Sequence, residues 1–385
     1  MYKKYGIKNN GRKYIKNTMD TSKAIDFLLE NGSEVIKYRL HKEILKNKKE
    51  EELLLKKVLN TPLFILVNNY QKENGYIGIS MHGMDNLKQT PLQDGETAAR
   101  LLCDYSIPKD SIIVKRFIKA LTDEKILENE FSINNPEIVR FKERFIGNGS
   151  GWGLQLLIDT VISILGYGDE HCQSLIKTSL NAFDSINSVS SILDVAKYNS
   201  KSKKKYNYPY LESNQLWPCL YHLEILAYNY SWRDEISKRK LSKAINHLNK
   251  ITPRNNWYHI RLGSRYYSPC GGFSYPVKPF SDNLHEQICC NRRVLTHIVL
   301  CGVGKEVEVT KQNAEILNNL LRKDGMIKIN FNSSYEKRRF KQSLMYTGHY
   351  CEVGLSTDAY KTDNEIIADL TFWAVHFLHH YFGQN

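Results

Sequence analysis

The chain has 385 residues, 42% of them hydrophobic and 25% charged, with a formal net charge of +13. That composition belongs to a folded protein with a large core, and the length allows one large domain or two ordinary ones. No stretch approaches the roughly 18 unbroken apolar residues that a membrane span needs.

The N-terminal MYKKYGIKNNGRKYIKN is basic with no apolar run behind it. It reads as a flexible arm over residues 1–20 rather than a secretory signal, which points to a cytoplasmic protein. Eight cysteines, four of them between 270 and 301, are too sparse for a small secreted disulfide framework and are read as reduced thiols. The positive charge suits an anionic substrate or nucleic acid. Scattered lysines also serve solubility, and KSKKK at 201–205 has the character of a solvated linker.

Along the chain a diverged repeat emerges, in which a Gly-plus-aromatic turn leads into an apolar helix. NGYIG at 74–78 precedes DGETAARLLCDYSIPKD, and SGWG at 150–153 precedes LQLLIDTVISILGYGDE. LWPCLYHLEILAYNYSWRD follows the same scheme, with Trp217 and Pro218 at its start. CGGFSYP at 270–276 then precedes HEQICCNRRVLTHIVLCGVGKE, and KDGMIKIN at 323–330 leads towards NEIIADLTFWAVHFLHHYF. A second, more polar helix accompanies each turn, as in EEELLLKKVLNTPLFILVNNYQK and EISKRKLSKAINHLNKI. In the latter Ile236, Leu241, Ala244, Ile245 and Leu248 form one apolar stripe. No convincing period-two strand is present, although YIG and KIN at 328–330 allow short extended pieces. The expectation is an all-α, single-domain ring of stacked helical hairpins over 21–385, an (α/α) toroid or barrel with a central cavity and a surface insertion near 198–214.

NNYQKENGYIG at 68–78 is similar to the Gln-then-Gly-aromatic repeat of squalene and terpene cyclases, and CGGFSYPVKPFSD at 270–282 resembles the approach to the zinc-binding aspartate of protein prenyltransferase beta subunits. Over about residues 50–380 the chain thus resembles the alpha/alpha-toroid superfamily. The resemblance implies a cyclase- or prenyltransferase-like enzyme holding an apolar or prenyl-type substrate in its cavity. The cyclase Asp-x-Asp-Asp signature is absent, and Leu284 stands where the prenyltransferases carry a cysteine.

Several residue groups can carry chemistry. Asp282, His285 and Cys289 fall at intervals of three and four, so on a helix starting near Ser281 they share a face suited to zinc, with His349 or Cys351 as a fourth ligand; the alternative is a cap followed by buried side chains. Asp94 and Glu96 stand at a helix entry as caps or as acid–base groups, with His82 in the preceding loop. His349, Cys351 and Glu352 in MYTGHYCEVGLS bring a thiol, an imidazole and a carboxylate close in sequence. Arg254, Arg261 and Arg265 alternate with Trp257, Tyr258, Tyr266 and Tyr267, a pattern that clamps a diphosphate or packs as cation–π pairs. Trp217, Phe273 and Tyr275 are expected at the mouth of the cavity. The histidines of HFLHHYF do not form a ligand set by spacing.

No phosphate-cradling glycine loop, dinucleotide fingerprint, Gly-x-Ser-x-Gly elbow or His-Glu-x-x-His helix occurs, which removes many common enzyme classes. A cavity-based enzyme remains. The alternative is a non-catalytic platform that binds a peptide or nucleic acid through the positive charge.

Overall fold

The computed structural model describes residues 21–81, 94–131, 154–198, 209–252, 258–267, 271–273, 277–281, 284–328 and 362–383. Among these the protein is mostly helical. A first pair, α1 (Ser22–Asn31) and α2 (Glu34–Arg39), runs into a π-helix at Leu40–Leu45 and then α3 (Lys48–Val58) and α4 (Pro62–Asn69). The stretch around 50–72 therefore forms two helices rather than one, because Pro62 occupies a first helical turn, where its missing N–H costs no bond.

Five helices are buried on several sides: α5 (Gly95–Asp104), α8 (Leu154–Ile164), α11 (Leu220–Tyr228), α13 (Leu284–Leu300) and α15 (Asp363–Phe382). The predominantly apolar sequences of α8, α11 and α15 demand this, since an apolar side facing water forfeits about 25 cal/mol for each Å² exposed. α5 packs on α8, α8 on α11, α11 on α13, and α13 on α15.

Amphipathic helices cover them. These are α6 (Ile112–Thr122), the short α7 (Glu124–Glu130) and α9 (Gly168–His171), α10 (Gln173–Ser185), α12 (Glu235–Ile251) and α14 (Glu308–Asp324). On α12 the stripe holds for Leu241, Ala244, Ile245 and Leu248, which are buried, whereas Ile236 is 67% exposed. Ile236 sits two residues after the cap Asp234, whose carboxylate takes its N–H at 2.9 Å, in a first turn that projects past the covered face.

The structure adds a small sheet that periodicity does not reveal. β1 (Tyr210–Glu212) lies parallel to β2 (His259–Leu262), which turns at Gly263 into antiparallel β3 (Arg265–Tyr267). Strands of three or four residues are too short to display alternation, and β1 comes from the stretch expected as a surface insertion; its Leu211 is fully buried. Of the two suggested extended pieces, YIG contributes an isolated bridge from Ile77 to Gln71. Residues 329 and 330 of KIN lie outside the described residues. None of the helices among the described residues is long and apolar enough to cross a membrane.

The C-terminal end of α11 is braced by side chains. Asn229 donates from Nδ2 to Ser163 Oγ at 2.9 Å and to the Ile225 carbonyl at 2.7 Å, and the Asp169 carboxylate accepts from the Tyr230 and Ser231 N–H groups. Gly168 fits against this brace because a Cβ there would come within 3.0 Å of both the Asn229 amide and the Ser163 hydroxyl. Gly168→Ala is expected to lower unfolding free energy by about 1–3 kcal/mol, as overpacking of a tight contact does, read from the urea midpoint at unchanged m-value.

Candidate functional site: a basic cavity at the C-terminal ends of the buried helices

Isolated charges inside apolar helices build the site. Burying an ion is costly unless it is paired and hydrogen-bonded. Glu224, in the middle of LYHLEILAY, is completely buried. Arg100 of α5 reaches it with two nitrogens at 2.7 and 2.9 Å, and Arg293 of α13 with two more, both at 2.8 Å. Arg100 also donates to Glu96 Oε1 at 2.8 Å, which accepts from the Tyr221 hydroxyl at 3.0 Å. Two guanidiniums thus balance two carboxylates across three helices. Burial opposes ionisation of Glu224, but Arg100 and Arg293 outweigh it and hold the carboxyl far below its usual range.

Above this knot opens a cavity of about 630 Å³. Its walls are the last residues of α5, α8 and α11, the second half of α13, and Asp369 to His380 of α15. The π-helix closes the remaining side with Lys42 and Glu43, followed by Lys46. π-turns are rare and concentrate at functional sites. This one ends at Lys46, which adopts a left-handed conformation with φ of 54°. Lys42 crosses to the end of α5, donating to the Ser106 carbonyl at 2.6 Å and the Tyr38 hydroxyl at 3.1 Å, and makes no salt bridge among the described residues.

A second polar cluster stands on the same wall. Arg39 forks onto Glu43 with two bonds of 2.9 Å, lies 4.9 Å over the Phe372 ring, and donates to the Asp104 carbonyl. His376 Nε2 lies 3.2 Å from Glu43 Oε2, 3.2 Å from Arg39 and 3.1 Å from His380 Nε2. Burial keeps His376 below its usual value and pushes His297 and His380 to about 3, so the latter two rings are neutral at pH 7.

The lining carries seven Lys or Arg side chains against four carboxylates, with Ile107, Ile164, Leu165, Leu300, Phe372 and Trp373 as apolar wall. Part of this basic character compensates the partial negative charge that collects where several helices end together. Cys103, also on the wall, is no nucleophile: burial pushes its thiol up to about 12.

The sequence-expected residues stand elsewhere or deeper. Asp94 is a helix cap, accepting from Thr97 N–H at 2.8 Å and its hydroxyl at 2.7 Å. Glu96 belongs to the knot beneath the cavity. Trp217 is a core side chain, and Phe273 packs on Phe183. Arg261 pairs with Glu212 at 3.3 Å on the small sheet and Arg265 is exposed on β3, so neither reaches the cavity. Tyr267 and the metal candidates His285 and Cys289 have backbone positions in β3 and α13, but their side chains lie outside the description. Asp282, Tyr275, His82, Arg254, His349, Cys351 and Glu352 lie outside the described residues. Among the described residues no group of three His, Cys, Asp or Glu side chains is arranged to hold a metal. At His376 the Arg39 guanidinium already lies 3.2 Å from Nε2.

Missed from sequence were Arg39, Lys42, Arg100, Glu224, Arg292, Arg293 and the Asp369 carboxylate, 3.6 Å from Arg292. For Glu224 and Asp369 a signal was present, a single charge in a helical stretch otherwise apolar, whereas Arg39, Lys42, Arg292 and Arg293 stand among other polar residues.

Glu224→Ala is expected to cost about 3–5 kcal/mol by stranding two arginines, whereas a charge-neutral replacement of all members loses less; chemical denaturation measures both. A pH series checks the buried histidines. His222, fully buried, and His297 both titrate near 3 when folded because burial disfavours the cation. Below about 6.5 the unfolded chain binds protons that the native chain refuses. Stability is therefore expected to fall by up to about 1.4 kcal/mol per pH unit for each histidine between pH 6.5 and 3, and His297→Asn to flatten the slope. No family model matches the chain, and neither a curated protein nor a solved structure is similar to it.

Proposed function

We propose that the chain is a cyclase- or prenyltransferase-like enzyme that holds an apolar substrate with an anionic head, such as a prenyl diphosphate, in the cavity at the helix C-termini. The observation that carries this is the pairing, in one space of about 630 Å³, of an excess of cationic side chains with an aliphatic and aromatic wall. That size lies in the ordinary range for small-molecule sites. A wholly hydrocarbon polyene would leave the charged side chains without use, so an anion-headed ester fits better than a squalene-like substrate.

The fold reading is an α/α ring. Its support is the order of packing from α5 through α8, α11 and α13 to α15, then from α15 to α2, and from α2 back to the end of α5 through Tyr38 and Arg39.

In this reading Lys42 and Lys46 neutralise the diphosphate, which leaves with the electron pair of the breaking carbon–oxygen bond. Trp373 offers the resulting allylic cation the negative face of its ring. The cation is quenched by loss of a proton or by a second substrate. Fixed cations cost no reorganisation as leaving-group charge develops.

Calorimetry with geranyl, farnesyl and geranylgeranyl diphosphates, farnesol and inorganic pyrophosphate tests the assignment, with product analysis by mass spectrometry. Farnesyl diphosphate is expected to bind at least tenfold more tightly than either farnesol or pyrophosphate. Lys42→Ala and Lys46→Ala should each weaken it about 10–100-fold, the value of a charge-assisted contact, in protein whose melting temperature is recorded alongside. Equal affinity for farnesol and its diphosphate, or no binding of either, defeats the reading.

A further inference from the structure

On the outside of the molecule, away from the cavity, α12 carries a second polar stripe. Arg239, Ser242, Lys243, Asn246, His247 and Lys250 recur at three- and four-residue steps, and with Asn187 they line a groove of about 400 Å³. The opposite stripe, Leu241, Ala244, Ile245 and Leu248, fixes the helix to the core, so the groove has a rigid floor.

Its walls are already bonded. Asn246 donates to the Glu306 carbonyl at 2.9 Å and accepts from the Glu308 N–H at 3.0 Å, and His247 lies 2.6 Å from the Val189 carbonyl. The neighbouring acids have partners of their own: Asp184 with Lys240, Glu235 with Lys238, and Glu308 with Gln312. Arg239, Lys243 and Lys250 are exposed and enter no ion pair among the described residues.

We infer that this groove is a binding site for the phosphodiester backbone of a nucleic acid. Arg239 and Lys243 stand one helical step of four residues apart, about 6 Å along the axis, and Lys250 extends the row by two further turns. The lining contains no aliphatic side chain, and its single ring, the His247 imidazole, is held by the Val189 carbonyl. A peptide ligand needs apolar anchors for its affinity, whereas phosphate contacts need only charge and hydrogen-bond donors. With the single imidazole tied to the Val189 carbonyl, base stacking contributes little, and DNA and RNA are held alike.

The test uses the full chain and fluorescein-labelled 20-nucleotide RNA and 20-base-pair DNA, followed by anisotropy from 50 to 200 mM salt. Three neutralised phosphates give a slope of log affinity on log salt of about −2 to −3, or on the order of a 20- to 40-fold loss over that range. The variant R239S/K243S/K250S is expected to lose tenfold or more. K115S/K119S/K125S removes the same charge from α6 and α7 and is expected to stay within twofold of the parent. Equal losses in the two variants would reduce the effect to net charge and overturn the site. So would an unaffected groove variant, or no binding at 50 mM. Competition by polyglutamate at the concentration of phosphate groups that displaces RNA would reassign the groove to acidic polypeptides. Cavity ligands play no part in these measurements, so their outcome is separate from that of the prenyl diphosphate experiment.

Discussion

The fourfold hydrogen bonding of Glu224 by Arg100 and Arg293 is the constraint to which the interior answers. A buried carboxylate with both oxygens taken by bidentate guanidiniums leaves little freedom in the azimuth of three helices. Arg100 must point from α5, Arg293 from α13, and Glu224 from α11 between them. A fully apolar packing would hold the helices at comparable or lower free energy, since ion desolvation consumes most of the Coulombic gain. What the ions add is specificity: a rotation of any one helix strands an arginine in the core. The partners lie 124 and 69 residues apart in sequence, so the knot also ties late-forming contacts into one cooperative unit.

The cavity inherits its character from that knot. Its floor is ionic but internally neutral, and the uncompensated charge sits higher on the wall, at Lys42 and Lys46 of the distorted turn. Neutral histidines separate the two levels. At pH 7 the field inside is set by the excess of lysine and arginine over the four carboxylates of the lining.

Much of the architecture is legible in the residues. LQLLIDTVISI and ADLTFWAVHFL can be helices only if enclosed, and the stripe of Leu241 to Leu248 can only be a covering helix. Strands of three residues such as Tyr210–Glu212 are below the length at which alternation registers. The site was less legible for a different reason. Gly-aromatic turns drew attention to the N-terminal ends of the buried helices, where Asp94, Trp217 and Phe273 lie, while the cavity opens at the opposite ends. A charge such as Glu224 does stand out against apolar neighbours, but one sequence cannot say that it meets Arg100 and Arg293. The π-turn has no sequence mark either, and the contact Lys42 makes from it reaches Ser106, 64 residues away.

That turn bears on how the chain tolerates change of length. A π-helix holds one more residue per turn than the α-helix around it, so Leu40–Leu45 behaves as an α-helical turn with one residue inserted. Removing one residue there would let α2 continue as a regular helix, and every side chain beyond would swing by about 100° around the axis. Lys42 would leave Ser106, Glu43 would leave Arg39, and the chain would enter α3 from the wrong side. In an alignment of related chains this stretch is therefore a place where a gap of one changes the occupant of the cavity wall while the flanking helices persist.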